Sequence, residues 1–308
     1  MDRLKILSPA TVANVACGFD AMAFALDGLG DEMIFQKNES GEVTISKIAG
    51  ADLPLEPHLN VAGAVAQKML KDLGSDIGID IQIFKNYKPG SGLGSSAASS
   101  AGAAFGVNEI TGRPFSKTEL MNYAMYGEEL ACGAPIADNV AAVLYGGFVL
   151  IRDYTPLDIV SIPTPKNLFV AIIHPQIEVK TEEAREVLPK SINLDIAISQ
   201  WANVGGLISG LYSSNYSLIG RSLVDLVTEP HRKKFIPHFD EIKQTAIANG
   251  ALGAGISGSG PSVFALCEGQ NNAQNVANAL NELYKTKEID YKIYTSGISS
   301  RGVRILDK

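Results

Sequence analysis

Cysteine is scarce in this 308-residue chain. The three present, Cys17, Cys132 and Cys267, are odd in number, far apart and without a Cys-x-x-Cys spacing. That excludes a disulfide framework and fits a reducing compartment. Histidine is as sparse: His58, His174, His231 and His238 stand in no metal-ligand pattern. Basic residues are outnumbered, 26 Lys and Arg against 33 Asp and Glu, leaving a net charge of −7. A broad basic face for nucleic acid or an anionic membrane is disfavoured, so any phosphate site has to be a local cradle. No apolar run approaches the roughly 18 residues of a membrane span. The opening Met1-Asp2-Arg3-Leu4-Lys5 carries no apolar leader segment. A cytoplasmic protein, with no nucleic-acid or membrane partner, is the expectation.

What is present suffices for a packed core. Hydrophobic residues make up 46% of the chain and charged residues 19%, and the length suits one large or two medium domains without staples. Residues 43–48 and 77–84 alternate apolar and polar, the mark of half-buried strands. Residues 60–73 carry Val61, Ala64, Val65, Met69 and Leu70 at helical spacing. Ser116-Lys117-Thr118-Glu119 is a capping box that opens a helix ending near Leu130. Residues 139–151 read as a loop leaving into a buried strand. The Pro-, Asp- and Thr-rich segment 153–166 suggests a domain boundary. Beyond it, strands are expected over 168–173, 262–267 and 291–295, and helices over 182–188, 192–212, 218–227, 239–249 and 272–285. The whole is α+β.

The strongest chemical signal is Lys88-Pro89-Gly90-Ser91-Gly92-Leu93-Gly94-Ser95-Ser96-Ala97-Ala98. Glycine reaches positive φ without a Cβ penalty, so Gly90, Gly92 and Gly94 let backbone N–H groups turn towards one point. Ser95 and Ser96 then open a helix, whose N-terminus carries a partial positive charge and unpaired donors. Together these features make a phosphate cradle. It lacks the Lys-Ser/Thr of a Walker A loop. It also fails the Gly-x-Gly-x-x-Gly dinucleotide pattern, which disfavours a Rossmann oxidoreductase.

This loop resembles the phosphate-wrapping motif of the GHMP kinases, the superfamily that includes galactokinases, homoserine kinases and mevalonate kinases. Two further stretches carry the same resemblance. Ser8-Pro9-Ala10-Thr11-Val12-Ala13-Asn14-Val15-Ala16-Cys17-Gly18-Phe19-Asp20 is similar to the first motif of homoserine kinases. Gly253-Ala254-Gly255-Ile256-Ser257-Gly258-Ser259-Gly260-Pro261-Ser262 is similar to the third.

The resemblance implies a two-domain GHMP kinase fold. A ribosomal-protein-S5-domain-2-like N-terminal domain, residues 1–158, would bind ATP, and a ferredoxin-like C-terminal domain, residues 159–308, would follow. It implies ATP and Mg²⁺, with Glu128 and Ser96 on the metal side and Lys88–Ala98 around the triphosphate. Asn139 would hold the substrate hydroxyl. Asp138 beside it is the candidate base by analogy with mevalonate-type members. Asn14, Asp20 and Gly258 would face L-homoserine, and Arg185 and Arg232 would grip its α-carboxylate, which a guanidinium fork matches and lysine does not. Ile136 stands where homoserine kinases usually carry histidine. It keeps open a kinase for another small alcohol, mevalonate-like or a sugar. A non-catalytic small-molecule-binding regulator on the same fold is the third reading, and the reading leaves room for a homodimer.

Overall fold

The computed structural model describes residues 1–307. Two α+β units share one molecule. The first is built on a seven-stranded sheet of β1 (Arg3–Ala13), β2 (Met22–Asn38), β3 (Val43–Ala49), β4 (Gly78–Phe84), β5 (Phe148–Tyr154), β6 (Leu157–Ile162) and β11 (Arg304–Asp307). The strand β2 organises it. Its start pairs with β5, its end with β4, and it runs antiparallel to β1 throughout. The β1–β2 ladder breaks between Pro9 and Thr11, which oppose Gly30 and Ala25. Such a bulge bends the strand and re-aims the residues that follow it.

Helices α1 (Val61–Leu73), α2 (Ser95–Ile110), α3 (Lys117–Cys132) and α4 (Asp138–Tyr145) pack on this sheet, burying Ile79, Ile81, Met33, Phe35, Ala101 and Val140 in one core. Helix α2 is small-sided for a reason. A Cβ on Gly102 would stand 2.7 Å from the Met33 sulfur, and one on Gly106 2.3 Å from the Phe35 ring. The capping box is present: the Ser116 N–H donates to Glu119 at 2.7 Å, and the Glu119 N–H to Ser116 Oγ at 3.3 Å.

The second unit is a four-stranded antiparallel sheet in the order β10 (Tyr291–Gly297), β7 (Leu168–Pro175), β9 (Val263–Glu268), β8 (Ala251–Ile256). Taking β7 as its first strand, the order is 4-1-3-2, the split βαβ arrangement of ferredoxin-like domains. Helices α9 (Phe239–Ala248) and α10 (Gln270–Tyr284) cover its outer face through Ile242, Val276 and Leu280. The inner face, with Val170, Ile172, Phe264 and Leu266, meets Val12, Met22, Phe24 and Phe148 of the first unit. Both faces are buried, which is why β7 reads as an unbroken apolar run. Phe24 joins the units, 4.8 Å from the Phe148 ring and 6.2 Å from that of Phe264. Helices α6 (Leu194–Ser213) and α7 (Tyr216–Ser222) complete this shared core with Leu207, Leu211 and Ile219.

Three expectations are corrected. Residues 139–145 belong to helix α4 and not to a loop; at eight residues it spans two turns, too short for its period to show. The helix expected over 218–227 ends at Ser222, because the Asp225 carboxylate accepts the N–H groups of Val227, Thr228 and Glu229 and turns the chain. The 158/159 boundary cuts β6, which pairs with β5, and residues 304–307 return to pair with β1, so the C-terminal segment is split between the two units. No helix among the described residues is long and apolar enough to cross a membrane.

Candidate active site

A cleft of about 830 Å³ is lined by residues of all three motifs and of both units. Its first wall is the glycine loop. Gly90, Gly92 and Gly94 have φ of 72°, 77° and 68°, the left-handed region that glycine occupies at no cost. Gly92 has a second reason to lack a side chain, since a Cβ would lie 2.5 Å from the Ser257 carbonyl oxygen. The third motif is the floor of this loop: Ser257 Oγ donates to the Gly92 carbonyl at 2.7 Å, and the Ser262 N–H to the Ser91 carbonyl at 3.2 Å. Gly94 caps helix α2 and offers no side-chain acceptor, so the first-turn N–H groups have no helical partner. Pro89, Gly90, Gly92, Gly94, Ser95 and Ser96 border the cleft. Lys88 is exposed, and Ser91, Leu93, Ala97 and Ala98 are buried behind the loop. None of those five is among the residues that border the cleft.

Behind the cradle lies Glu128 of α3, 5% exposed. Ser96 Oγ donates to its Oε2 at 3.2 Å, while Oε1 is buried without a partner. Burial, with Asp138 nearby, pushes its carboxyl up to about 7 against the pull of the Ser96 hydrogen bond. A buried carboxylate oxygen with no donor is costly unless a cation completes it. Ser96 and Glu128 therefore fit Mg²⁺, which takes one or two protein oxygens and otherwise keeps water.

Asp138 and Asn139 open α4 in the middle of the cleft. Burial, reinforced by the Asp20 charge, raises Asp138 to about 7. Asp138 Oδ1 accepts the Asn139 backbone N–H at 2.6 Å and its side-chain Nδ2 at 3.2 Å, and Asn139 Oδ1 accepts from Thr11 Oγ1 at 2.6 Å.

The far end is built by opposite charges. Arg185 of α5 (Thr181–Glu186) donates from Nη2 to both oxygens of Asp20, at 2.8 and 2.9 Å. Arg232, at the end of α8 (Glu229–Arg232), donates to the Ala184 carbonyl at 2.8 Å and the Gly258 carbonyl at 3.2 Å. The ring of Phe19 lies 5.6 Å from one guanidinium and 4.9 Å from the other, within cation–π range. Burial lowers Arg232 to about 10, which leaves it cationic at neutral pH.

Asn14 borders the cleft, yet its amide is committed: Nδ2 donates to the Gly258 carbonyl at 2.8 Å, and Oδ1 accepts the Asp20 N–H at 3.1 Å. These bonds hold a run of three non-glycine residues at positive φ, Asn14, Val15 and Ala16 at 70°, 43° and 59°. Val15 is the costly one, being β-branched. The same bonds fasten the first motif to the third, and both Asn14 and Gly258 border the cleft.

Sequence reading missed Lys85, whose buried ammonium pairs with Asp31 and donates to the Ser95 carbonyl at 3.0 Å and Ser99 Oγ at 3.1 Å. It missed the apolar lining residues Leu53, Pro54, Leu59 and Val61, and the Glu178–Glu182 stretch that also lines the cleft. The apolar residues carry no motif. Lys85 did leave a signal, taken up below.

Glycine loop, buried carboxylate and two-unit cleft are together those of a GHMP kinase. The model of the GHMP kinases N terminal domain matches residues 60–147, and that of the GHMP kinases C terminal region residues 207–286. A homoserine kinase of Chlorobium phaeobacteroides is 45% identical over 99% of this chain and 100% of its own length, and one of Chlorobaculum tepidum 45% identical over 96% of each. The crystal structure of homoserine kinase from Cytophaga hutchinsonii superposes with a TM-score of 0.95 at 45% identity, covering 99% of this chain and 98% of that one. The chain belongs to the homoserine kinase family.

Proposed function

We propose that this cleft transfers the γ-phosphoryl group of ATP to the side-chain hydroxyl of L-homoserine, giving O-phospho-L-homoserine for threonine biosynthesis in the cytoplasm. The observation that carries the substrate assignment is the convergence of Arg185, Arg232 and Asp20 at one end of a cleft whose other wall is a phosphate cradle. An α-amino acid presents one carboxylate and one ammonium, and this end offers two guanidinium forks and one carboxylate to match.

The flat faces of the nucleotide's adenine ring suit the apolar lining residues Leu53, Pro54, Leu59 and Val61. Its triphosphate lies along Gly90–Ser96, where loop N–H groups and the α2 N-terminus face negative charge. Glu128 and Ser96 would hold Mg²⁺, which would supply neutralisation of the phosphate charge. Asn139 orients the acceptor hydroxyl by donating from Nδ2, so that the oxygen faces the γ-phosphorus in line with the leaving oxygen. Phosphoryl transfer passes through a loose transition state, so the hydroxyl proton leaves late. Asp138, raised to about 7, is the group in place to accept it. The first unit thus supplies the nucleotide side, and Arg185, Arg232 and the third motif come from the second.

Arg185→Ala or Arg232→Ala removes one charged hydrogen-bonding fork, worth about 1.5–3 kcal/mol. The homoserine KM should rise roughly 10- to 100-fold while the ATP KM stays within twofold. An unchanged homoserine KM in both variants would remove the clamp from the account.

A further inference from the structure

Asn139 is useful to a hydroxyl only if its amide faces the right way. The oxygen and nitrogen ends of an amide have nearly the same shape, so partners and not packing set its orientation. On one side lies Asp138 Oδ1, already an acceptor for the Asn139 backbone N–H at 2.6 Å, which draws Nδ2 towards it at 3.2 Å. On the other side lies Thr11 Oγ1, 2.6 Å from Asn139 Oδ1. The amide oxygen cannot donate, so the Thr11 hydroxyl must.

Thr11 is fully buried and stands just past the bulge in β1. Its backbone N–H donates to the Leu93 carbonyl of the glycine loop at 3.0 Å. Its hydroxyl fills the space under Gly94, where a Cβ would lie 2.0 Å from Oγ1 and 3.0 Å from Asn139 Oδ1. One residue is therefore tied to the phosphate cradle through its backbone and to the substrate-facing amide through its side chain.

We propose that Thr11 is a positioning residue for phosphoryl transfer: with Asp138 Oδ1 drawing Nδ2 and so setting which way the amide faces, the Thr11 hydroxyl anchors Oδ1 and fixes the Asn139 amide in place relative to the glycine loop. This rests on the assignment of Asn139 to the substrate hydroxyl. Without the donor, Asn139 Oδ1 stands beside an apolar side chain and only Asp138 Oδ1 still holds the amide, so its place relative to the glycine loop is no longer fixed.

The test contrasts two variants. Thr11→Val keeps the shape and removes the donor; Thr11→Ser keeps the donor and removes a methyl. Positioning predicts that Thr11→Val lowers kcat roughly 10- to 100-fold, with both KM values within about twofold, and that Thr11→Ser keeps kcat within about threefold. A packing role predicts the reverse order, and that result overturns the proposal. If Thr11→Val does not fold, Thr11→Ala removes the same donor and is read against Thr11→Ser. In an Asn139→Ala background the Thr11→Val loss should disappear, because the group it acts through is gone. A loss that persists there refutes coupling through Asn139 alone. If Asn139→Ala by itself keeps full kcat, the underlying role of Asn139 fails, and this proposal with it.

Discussion

Glu128 has one carboxylate oxygen held by Ser96 and one without a partner, in surroundings that raise its pKa from 4.5 to about 7. Between those values the folded protein holds a proton that the unfolded chain has lost, so this residue's contribution to stability falls as pH rises through the window. Glu128→Gln removes the titration. In metal-free buffer the variant should be more thermostable than the parent above about pH 7, with the gap closing towards about pH 4.5. Mg²⁺ added on top of nucleotide should raise the parent's Tm further and the variant's much less. A gap independent of pH would contradict the buried-carboxylate reading. Residues of this kind differ in how far the sequence reveals them. Glu128 was placed by its offset from Asp138-Asn139. Lys85 was legible in principle: Ile79, Ile81 and Ile83 alternate inward on β4, and the next position on that face is Lys85. A charge in a core-facing register needs a partner, and Asp31, 54 positions away, is one that no local pattern reveals.

The glycine loop and the third motif are one element in space. Gly92 holds φ of 77°, and a Cβ there would press on Ser257 and Gly260 at 2.5 and 2.6 Å, both backbone oxygens that cannot swing aside. Gly92→Ala should therefore displace the cradle from its floor and raise the ATP KM at least tenfold, measured by initial rates at saturating homoserine. An unaltered ATP KM would mean that the loop does not wrap the nucleotide. Sequence reading caught each loop as a glycine run and missed that one supports the other, because the contact is made by backbone oxygens. Helix α3 was legible through its capping box. Helix α4 was not, since Asp138–Tyr145 offers only two turns and its Val and Leu residues serve a strand equally well. The approximate existence of most other elements followed from the period of their apolar residues, and their ends did not.

At the scale of the whole molecule, the two units meet through a shared core and not a thin hinge. Phe24 meets Phe148 at a tilt and Phe264 edge to face across the join, all three fully buried. Cutting Phe264 back to Ala removes ring contacts with both units and should cost about 3–5 kcal/mol. Unfolding followed by probes in either unit should still show one transition, at lower denaturant; two separate transitions in the parent would contradict a common core. The Pro-, Asp- and Thr-rich segment 153–166 and the family resemblance conveyed the two-unit plan. The return of residues 304–307 to β1 was not legible, because a four-residue edge strand carries too little pattern to name its partner. The account stands on the charge geometry at the far end of the cleft. It is tested most directly by initial rates of Mg²⁺-dependent ADP release with L-homoserine, 4-hydroxybutyrate, which lacks the ammonium, and 3-aminopropan-1-ol, which lacks the carboxylate. L-Homoserine should exceed both in kcat/KM by roughly two orders of magnitude, the loss expected when a charged hydrogen-bonding partner goes unmatched. Comparable rates for all three alcohols would contradict it.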